Sequence, residues 1–199
     1  QRPIWVNGEY HYYYLYNADY LDGGGGTSWR RATTKDHVSF RDRGVAIPKF
    51  TNANGDCWSG SLVVDDRNTA GFGRGAIVAL VTQAPEGRQA QYLWYSTDGG
   101  RTFRPGGAAP VLANPGTPDF RDPKVIWDEE RARWFMANAE GRRIGFYTSP
   151  DLHRWTRVGE FSRDDLGLLE CPDIFRMTAD DGTTRWILGV SANGKSRGL

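Results

Sequence analysis

Thr34-Lys35-Asp36-His37-Val38-Ser39-Phe40, Ser96-Thr97-Asp98-Gly99-Gly100-Arg101-Thr102-Phe103 and Ser149-Pro150-Asp151-Leu152-His153-Arg154-Trp155 are three versions of one phrase, the second a residue longer. Each follows a short apolar or aromatic run, sets an aspartate in a tight turn, and re-enters extended chain at an aromatic residue. Such a turn closes a hairpin because the carboxylate accepts backbone N–H bonds while the aromatic packs beneath it. The aspartates stand 62 and 53 residues apart. An interval of about 50–60 residues with about four strands in it is the spacing of propeller blades. Three blades cannot close a ring, so the sequence predicts an incomplete propeller.

The rest of the chain reads the same way. Ile4–Val6, Tyr10–Asn17, Ser28–Thr34, Ser61–Val64, Ala76–Thr82 and Gln91–Ser96 have strand character, as do Lys124–Trp127, Trp134–Asn138, Ile144–Thr148, Ile174–Met177 and Arg185–Val190. Turn signals separate them, among them Asp22-Gly23-Gly24-Gly25-Gly26, Asn54-Gly55 and Asp181-Gly182. No segment keeps a 3.6-residue apolar period for three turns, so no helix is expected. The prediction is an all-β fold. No linker or compositional break divides residues 1–199.

Composition narrows the function classes. Lys and Arg number 25 against 24 Asp and Glu, a net charge of +1 without a basic cluster, which argues against a nucleic-acid partner. The longest aliphatic run, Ala76 to Val81, is far too short for a bilayer span. Two cysteines in separate segments make neither a disulfide framework nor a zinc site. His11, His37 and His153 are scattered, and no metal or cofactor is expected. With a strand beginning at once and another just before the last residues, the chain reads as a piece of something longer. A missing targeting segment therefore says nothing about compartment.

In a propeller the first strand of each blade lines the central funnel, so carboxylates near those strand starts are the candidates for chemistry. Two segments qualify: Asp119-Phe120-Arg121-Asp122-Pro123-Lys124-Val125 and Leu168-Leu169-Glu170-Cys171-Pro172-Asp173. Glycoside hydrolysis needs one carboxylic acid to protonate the leaving oxygen and a second carboxylate at the anomeric centre. Between Leu168, Leu169 and Cys171, Glu170 is expected to be partly desolvated, which would favour its protonated form. Asp122 beside Arg121 is expected to stay ionised.

Five stretches in this order resemble glycoside hydrolase family 32, the invertase, inulinase and levanase family. They are Ser28-Trp29 with Ala32-Thr33-Thr34-Lys35-Asp36, then Trp58-Ser59-Gly60-Ser61, Tyr95-Ser96-Thr97-Asp98-Gly99-Gly100-Arg101, Phe120-Arg121-Asp122-Pro123-Lys124-Val125 and Glu170-Cys171-Pro172-Asp173. The Arg-Asp-Pro and Glu-Cys-Pro elements are the specific ones. The resemblance implies a five-bladed β-propeller catalytic domain, of which this chain covers the N-terminal part, about three blades. It implies a retaining hydrolase of β-fructofuranosyl linkages in levan- or inulin-type fructans, with no cofactor. Glu170 matches the family's general acid/base, Asp122 its transition-state stabiliser and Arg121 a sugar-contacting partner. Trp29, Trp58 and Ser59 match positions around the fructosyl unit. Cys171 is expected as a buried neighbour of the glutamate, not a nucleophile.

Departures from the family pattern shape the expectation further. The family nucleophile is an Asp in an Asn-Asp-Pro motif, and Gln1 to Tyr10 resembles the strand just C-terminal to that motif. The aspartate is therefore expected upstream of Gln1, and the 199 residues alone are expected to be inactive. Leu15 replaces a usual Gln, and with Arg30 and Arg31 this leans towards polymeric fructan, levan in particular. A polymeric substrate implies an extracellular enzyme. The alternatives are a non-catalytic sugar-binding propeller without the nucleophile and another propeller enzyme, such as a sialidase or arabinosidase. A sialidase would require an arginine triad and a tyrosine nucleophile, which the Arg-Asp-Pro and Glu-Cys-Pro pair does not predict.

Overall fold

The computed structural model describes residues 3–194. Fourteen strands form four antiparallel meanders. The first sheet is β1 (Ile4–Val6), β2 (Glu9–Tyr16), β3 (Ser28–Thr34) and β4 (Arg41–Ile47). The second is β5 (Gly60–Asp65), β6 (Ala76–Gln83), β7 (Ala90–Ser96) and β8 (Arg104–Pro105). The third is β9 (Arg121–Asp128), β10 (Arg133–Ala139), β11 (Arg143–Ser149) and β12 (Thr156–Ser162), and β13 (Leu169–Thr178) pairs with β14 (Thr184–Ala192) in a fourth. The first strands are neighbours, β1 against β5, β5 against β9 and β9 against β13, so they line a common axis. Among the described residues the only helical pieces are single 3₁₀ turns at Tyr20–Asp22, Pro85–Gly87 and Asp164–Leu166.

All three aspartate turns join the third strand of a sheet to its fourth, and their hydrogen bonds repeat. In the first, the Asp36 and His37 N–H groups donate to Thr34 Oγ1, and those of Val38 and Ser39 to Asp36 Oδ1. In the third, Asp151 and Leu152 donate to Ser149 Oγ, and His153 and Arg154 to Asp151 Oδ1. In the second, Asp98 and Gly100 donate to Ser96 Oγ, and Arg101 and Thr102 to Asp98 Oδ1. The residue after the aspartate is left-handed each time: His37 at φ 59°, Gly99 at 74° and Leu152 at 64°. That explains the glycine in the second copy, where the conformation carries no steric cost.

The aromatics of the phrase do not all pack alike. Phe103 lies 5.6 Å from Tyr13 of the first sheet, edge to face. Trp155 packs on the cluster between the second and third sheets. Phe40, expected to pack beneath its turn, is instead 51% exposed and rests on Tyr12 of its own sheet at 5.3 Å. Phe103 and Trp155 reach a preceding sheet, and none precedes the first among the described residues.

The core sits between sheets. β6 is buried along its whole length. Ile77, Ala79 and Val81 face the first sheet, in a cluster with Tyr13, Trp29, Ile47, Trp94 and Phe103. Val78 and Leu80 face the third sheet, with Phe120, Val125, Trp134, Met136 and Leu152. A smaller cluster of Ala137, Ala139, Ile144 and Leu169 joins the third sheet to the fourth. Period-two alternation sends each strand's apolar residues into both seams.

The fourth strands β4 and β12 are not expected from the sequence. They are the outer, largely exposed edges of their blades and carry charged residues and glycine, so they lack an apolar signature. The two candidate segments also lie inside strands and not before them. β9 already includes Arg121 and Asp122, and β13 includes Glu170 and Cys171. In both, the ladder shifts register near the start, and Asp122 (φ 58°) and Cys171 (φ 50°) are left-handed. A bulge breaks the alternation that a pattern reading needs.

Candidate active site

Asp122 and Glu170 come from the first strands of adjacent blades. The Asp122 carboxylate is held on both oxygens. Ser59, just before β5, donates its hydroxyl to Oδ1. Across the seam, the Cys171 backbone N–H reaches Oδ2 at 2.9 Å and the thiol reaches the same oxygen at 3.5 Å. Partial desolvation of the Cys171 thiol against Asp122 pushes it up, and the Asp122 and Glu170 carboxylates push it further, so it is the proton-bearing partner. Three blades thus converge on one aspartate.

Glu170 is held differently. Arg121 reaches Glu170 Oε1 through Nη2 at 2.7 Å and Nε at 3.3 Å. The same guanidinium binds Asp119 through Nη1. Burial opposes the Arg121 charge, and bonding to Asp119 and Glu170 outweighs it, so the cation is reinforced. The expectation that Glu170 sits in apolar surroundings is corrected by the geometry. Leu169 turns into the core, Cys171 is exposed and not buried, and the Glu170 side chain is itself 41% exposed in an ion pair. The expected Arg121–Asp122 pairing is likewise replaced by Arg121–Glu170, because neighbours along a strand point to opposite sides.

The remaining candidates divide into surface and support. Trp58 is half-buried with its indole N–H on Asp56 Oδ1 at 3.1 Å. Trp29 is fully buried, and its indole N–H donates to the Trp58 carbonyl at 2.7 Å, so its ring is not available as a pocket surface. Gly60 follows Ser59 because any Cβ there would stand 2.2 Å from the Leu80 carbonyl oxygen and 2.7 Å from the Trp29 ring. Ser59, Gly60, Asp122, Lys124, Cys171 and Asp173 line a cleft of about 310 Å³. Lys124 and Asp173, 3.4 Å apart, are site residues that the sequence motifs do not single out. They follow Asp122 and Cys171 by two residues, but the register shifts at these strand starts break the alternation that would assign them a face from sequence. Among the described residues no group of three or more His, Cys, Asp or Glu could hold a metal ion, and no helix is long and apolar enough to cross a membrane.

Antiparallel sheets whose first strands line a common axis, with Asp122 on β9 and Glu170 on the neighbouring β13 each held by its own polar clamp, define part of a β-propeller. The chain belongs to glycosyl hydrolase family 32: residues 1–198 match the Glycosyl hydrolases family 32 N-terminal domain. It is 55% identical to a levanbiose-producing levanase of Bacillus subtilis over 200 aligned residues, covering 100% of this chain and 39% of that protein. A levanbiose-producing levanase of Geobacillus stearothermophilus is also 55% identical, covering 100% of this chain and 50% of that protein. The chain therefore spans between two-fifths and half the length of these relatives. Among solved structures, the beta-fructofuranosidase of Schwanniomyces occidentalis complexed with fructosyl-erythritol superposes with a TM-score of 0.88 at 28% identity, over 98% of this chain and 40% of that one. The exo-inulinase of Aspergillus awamori gives 0.84 at 29% identity, over 96% and 43%. The sheets described above are blades of the five-bladed β-propeller of this family.

Proposed function

We propose that these residues are the N-terminal part, without an internal boundary, of the propeller domain of a retaining hydrolase acting on β-fructofuranosyl linkages of fructans, of levan or inulin type. The observation that carries this reading is the pair of differently held carboxylates. Asp122 is fixed on both oxygens by Ser59 and Cys171, whereas Glu170 is engaged by Arg121 on Oε1 and is reachable from solvent. A fixed carboxylate suits sugar hydroxyls and developing positive charge. An accessible one suits proton exchange. Two relatives at 55% identity are levanbiose-producing levanases, which supports levan as the substrate.

In this reading an aspartate from sequence preceding Gln1 attacks the anomeric carbon. The bond to the leaving oxygen breaks with its electron pair going to that oxygen, and Glu170 supplies the proton. Water then attacks the fructosyl ester, Glu170 takes its proton, and the nucleophile leaves with the ester electron pair. Asp122 stabilises the oxocarbenium-like transition state in both steps. Arg121, Trp58 and Ser59 orient the fructosyl unit, with Trp29 behind them. An extracellular site of action suits a polymeric substrate, and a relative in Meyerozyma guilliermondii is an extracellular exo-inulinase.

The test is fructose release from levan, inulin and sucrose by the complete protein and its Glu170→Gln variant. Loss with all three substrates is expected. Undiminished release would overturn the acid/base assignment.

A further inference from the structure

The segment before Arg121 is held by two glutamines of the neighbouring blade. Gln89 precedes β7 and Gln91 lies within it. The Phe120 N–H donates to Gln89 Oε1 at 2.8 Å, and the Phe120 carbonyl accepts from Gln91 Nε2 at 3.0 Å. Both polar groups of one residue are thus gripped by side chains from another sheet. Gln91 is in turn fixed by the Thr82 hydroxyl, which donates to its Oε1 at 2.9 Å. Thr82, Gln91 and Phe120 are fully buried and Gln89 nearly so. Gln89 does one thing more: its Oε1 also accepts from Arg121 Nη1 at 3.3 Å.

We infer that Gln89 is a positioning residue that aims Arg121 at Glu170, with Gln91 and Thr82 as its backing. The inference rests on the acid/base reading of Glu170. The guanidinium has five N–H donors in a rigid plane, so fixing one edge sets the direction of the others. Asp119 and Gln89 hold Nη1, and Nη2 and Nε are thereby turned to Glu170 Oε1. The Gln89 amide oxygen serves two donors at once, the buried Phe120 N–H and Arg121 Nη1. Its position makes sense as a link between the Phe120 main chain and the Arg121 side chain. Misplacing a catalytic group by about 1 Å costs on the order of 100-fold in rate, so a small loosening here is measurable.

The test uses the complete protein and first-turnover release of the leaving group from two substrates: a β-fructofuranosyl disaccharide, whose sugar leaving group needs a proton, and an aryl β-fructofuranoside, whose phenolate leaves without one. Gln89→Met keeps the shape and removes the acceptor. It is expected to slow the disaccharide by roughly 10- to 100-fold with little change in KM, and to leave the aryl substrate within about twofold. Gln89→Glu, which keeps an acceptor at the same reach, restores most of the rate. If Gln89→Met fails to fold, Gln89→Asn, too short to reach both donors, gives the same contrast. Equal loss on both substrates, or no loss, with Glu170→Gln showing the leaving-group contrast, overturns the role of Gln89 alone. A Glu170→Gln variant equally slow on both substrates overturns the acid assignment, and the inference with it.

Discussion

The threefold aspartate turn is a built-in control experiment, because one hydroxyl makes the same bonds in three surroundings. Removing it by Ser149→Ala, Ser96→Ala or Thr34→Val deletes two accepted N–H bonds each time. What differs is where the stranded N–H groups lie. At Ser149 one belongs to Leu152, fully buried in the seam between the second and third blades. At Ser96 one belongs to Gly100, also buried, with Tyr13 hydrogen-bonded to its carbonyl at 2.9 Å. At Thr34 both belong to exposed residues, Asp36 and His37. A buried donor without a partner costs about 1–3 kcal/mol, while one that turns to water costs only the net bond, about 0.5–1.5 kcal/mol. With one buried and one solvated donor stranded, the expected losses are about 1.5–4.5 kcal/mol for Ser149→Ala and Ser96→Ala, against about 1–3 kcal/mol for the two solvated donors of Thr34→Val, so Thr34→Val is the mildest of the three. Urea unfolding followed by tryptophan fluorescence reads all three against wild type. A Thr34→Val loss equal to or above the other two would refute the reasoning that burial, and not the turn itself, sets the stability of these hairpins.

Other variants probe separate features. Gly60→Ala forces a Cβ to 2.2 Å from a backbone oxygen and is expected to cost over about 3 kcal/mol, seen as loss of soluble protein or a large fall in midpoint; near-wild-type stability would contradict the packing beside Ser59. Cys57 is buried and burial pushes its thiol up to about 12, while Cys171 is exposed. A thiol reagent at neutral pH is expected to label Cys171 slowly and Cys57 only after unfolding, and native labelling of Cys57 would count against the first seam. Partial burial raises Asp98, but the Ser96 and Thr102 hydroxyls and the Thr102 and Arg101 N–H groups hold it at about 2. Being depressed in the folded state, it stabilises the fold fully above about pH 4 and loses that contribution as pH falls towards 2. Asp98→Asn should flatten acid unfolding across that window, and an unchanged profile would remove Asp98 as a source of the acid sensitivity.

The blades are legible in the sequence because their turns carry chemistry that only one backbone path satisfies. Asp36, Asp98 and Asp151 each need a left-handed residue next, and a phrase with Gly99 in that slot advertises it. The inner strands are legible through apolar alternation. The outer strands β4 and β12 are not, since each is exposed along most of its length and β4 buries only its last two residues, Ala46 and Ile47. At the site, the motifs mark the right neighbourhoods but not the pairings. Arg121 stands next to Asp122 in sequence and grips Glu170 from the next blade, a choice made by strand direction and the bulge at Asp122. Leu168 and Leu169 suggest an apolar glutamate, yet a single alternation separates Leu169 in the core from Glu170 in the open. Trp29 and Trp58 look alike in sequence and differ because one is fully buried in a seam and the other only half-buried. Gln89 carries no signal at all, because its partners lie 31 and 32 residues away.

The two carboxylates never share a sheet. Their separation is therefore not a property of any strand or loop but of the seam between the third and fourth blades, which Ala137, Ala139, Ile144 and Leu169 fill. Two of those four are alanines, the smallest side chains that can still keep the blades apart. The seam acts as a gauge block between β9 and β13: thickening it by a methyl group or two is expected to shift Asp122 relative to Glu170. The relative placement of the two carboxylates is thus set from behind, by residues that lie outside the cleft.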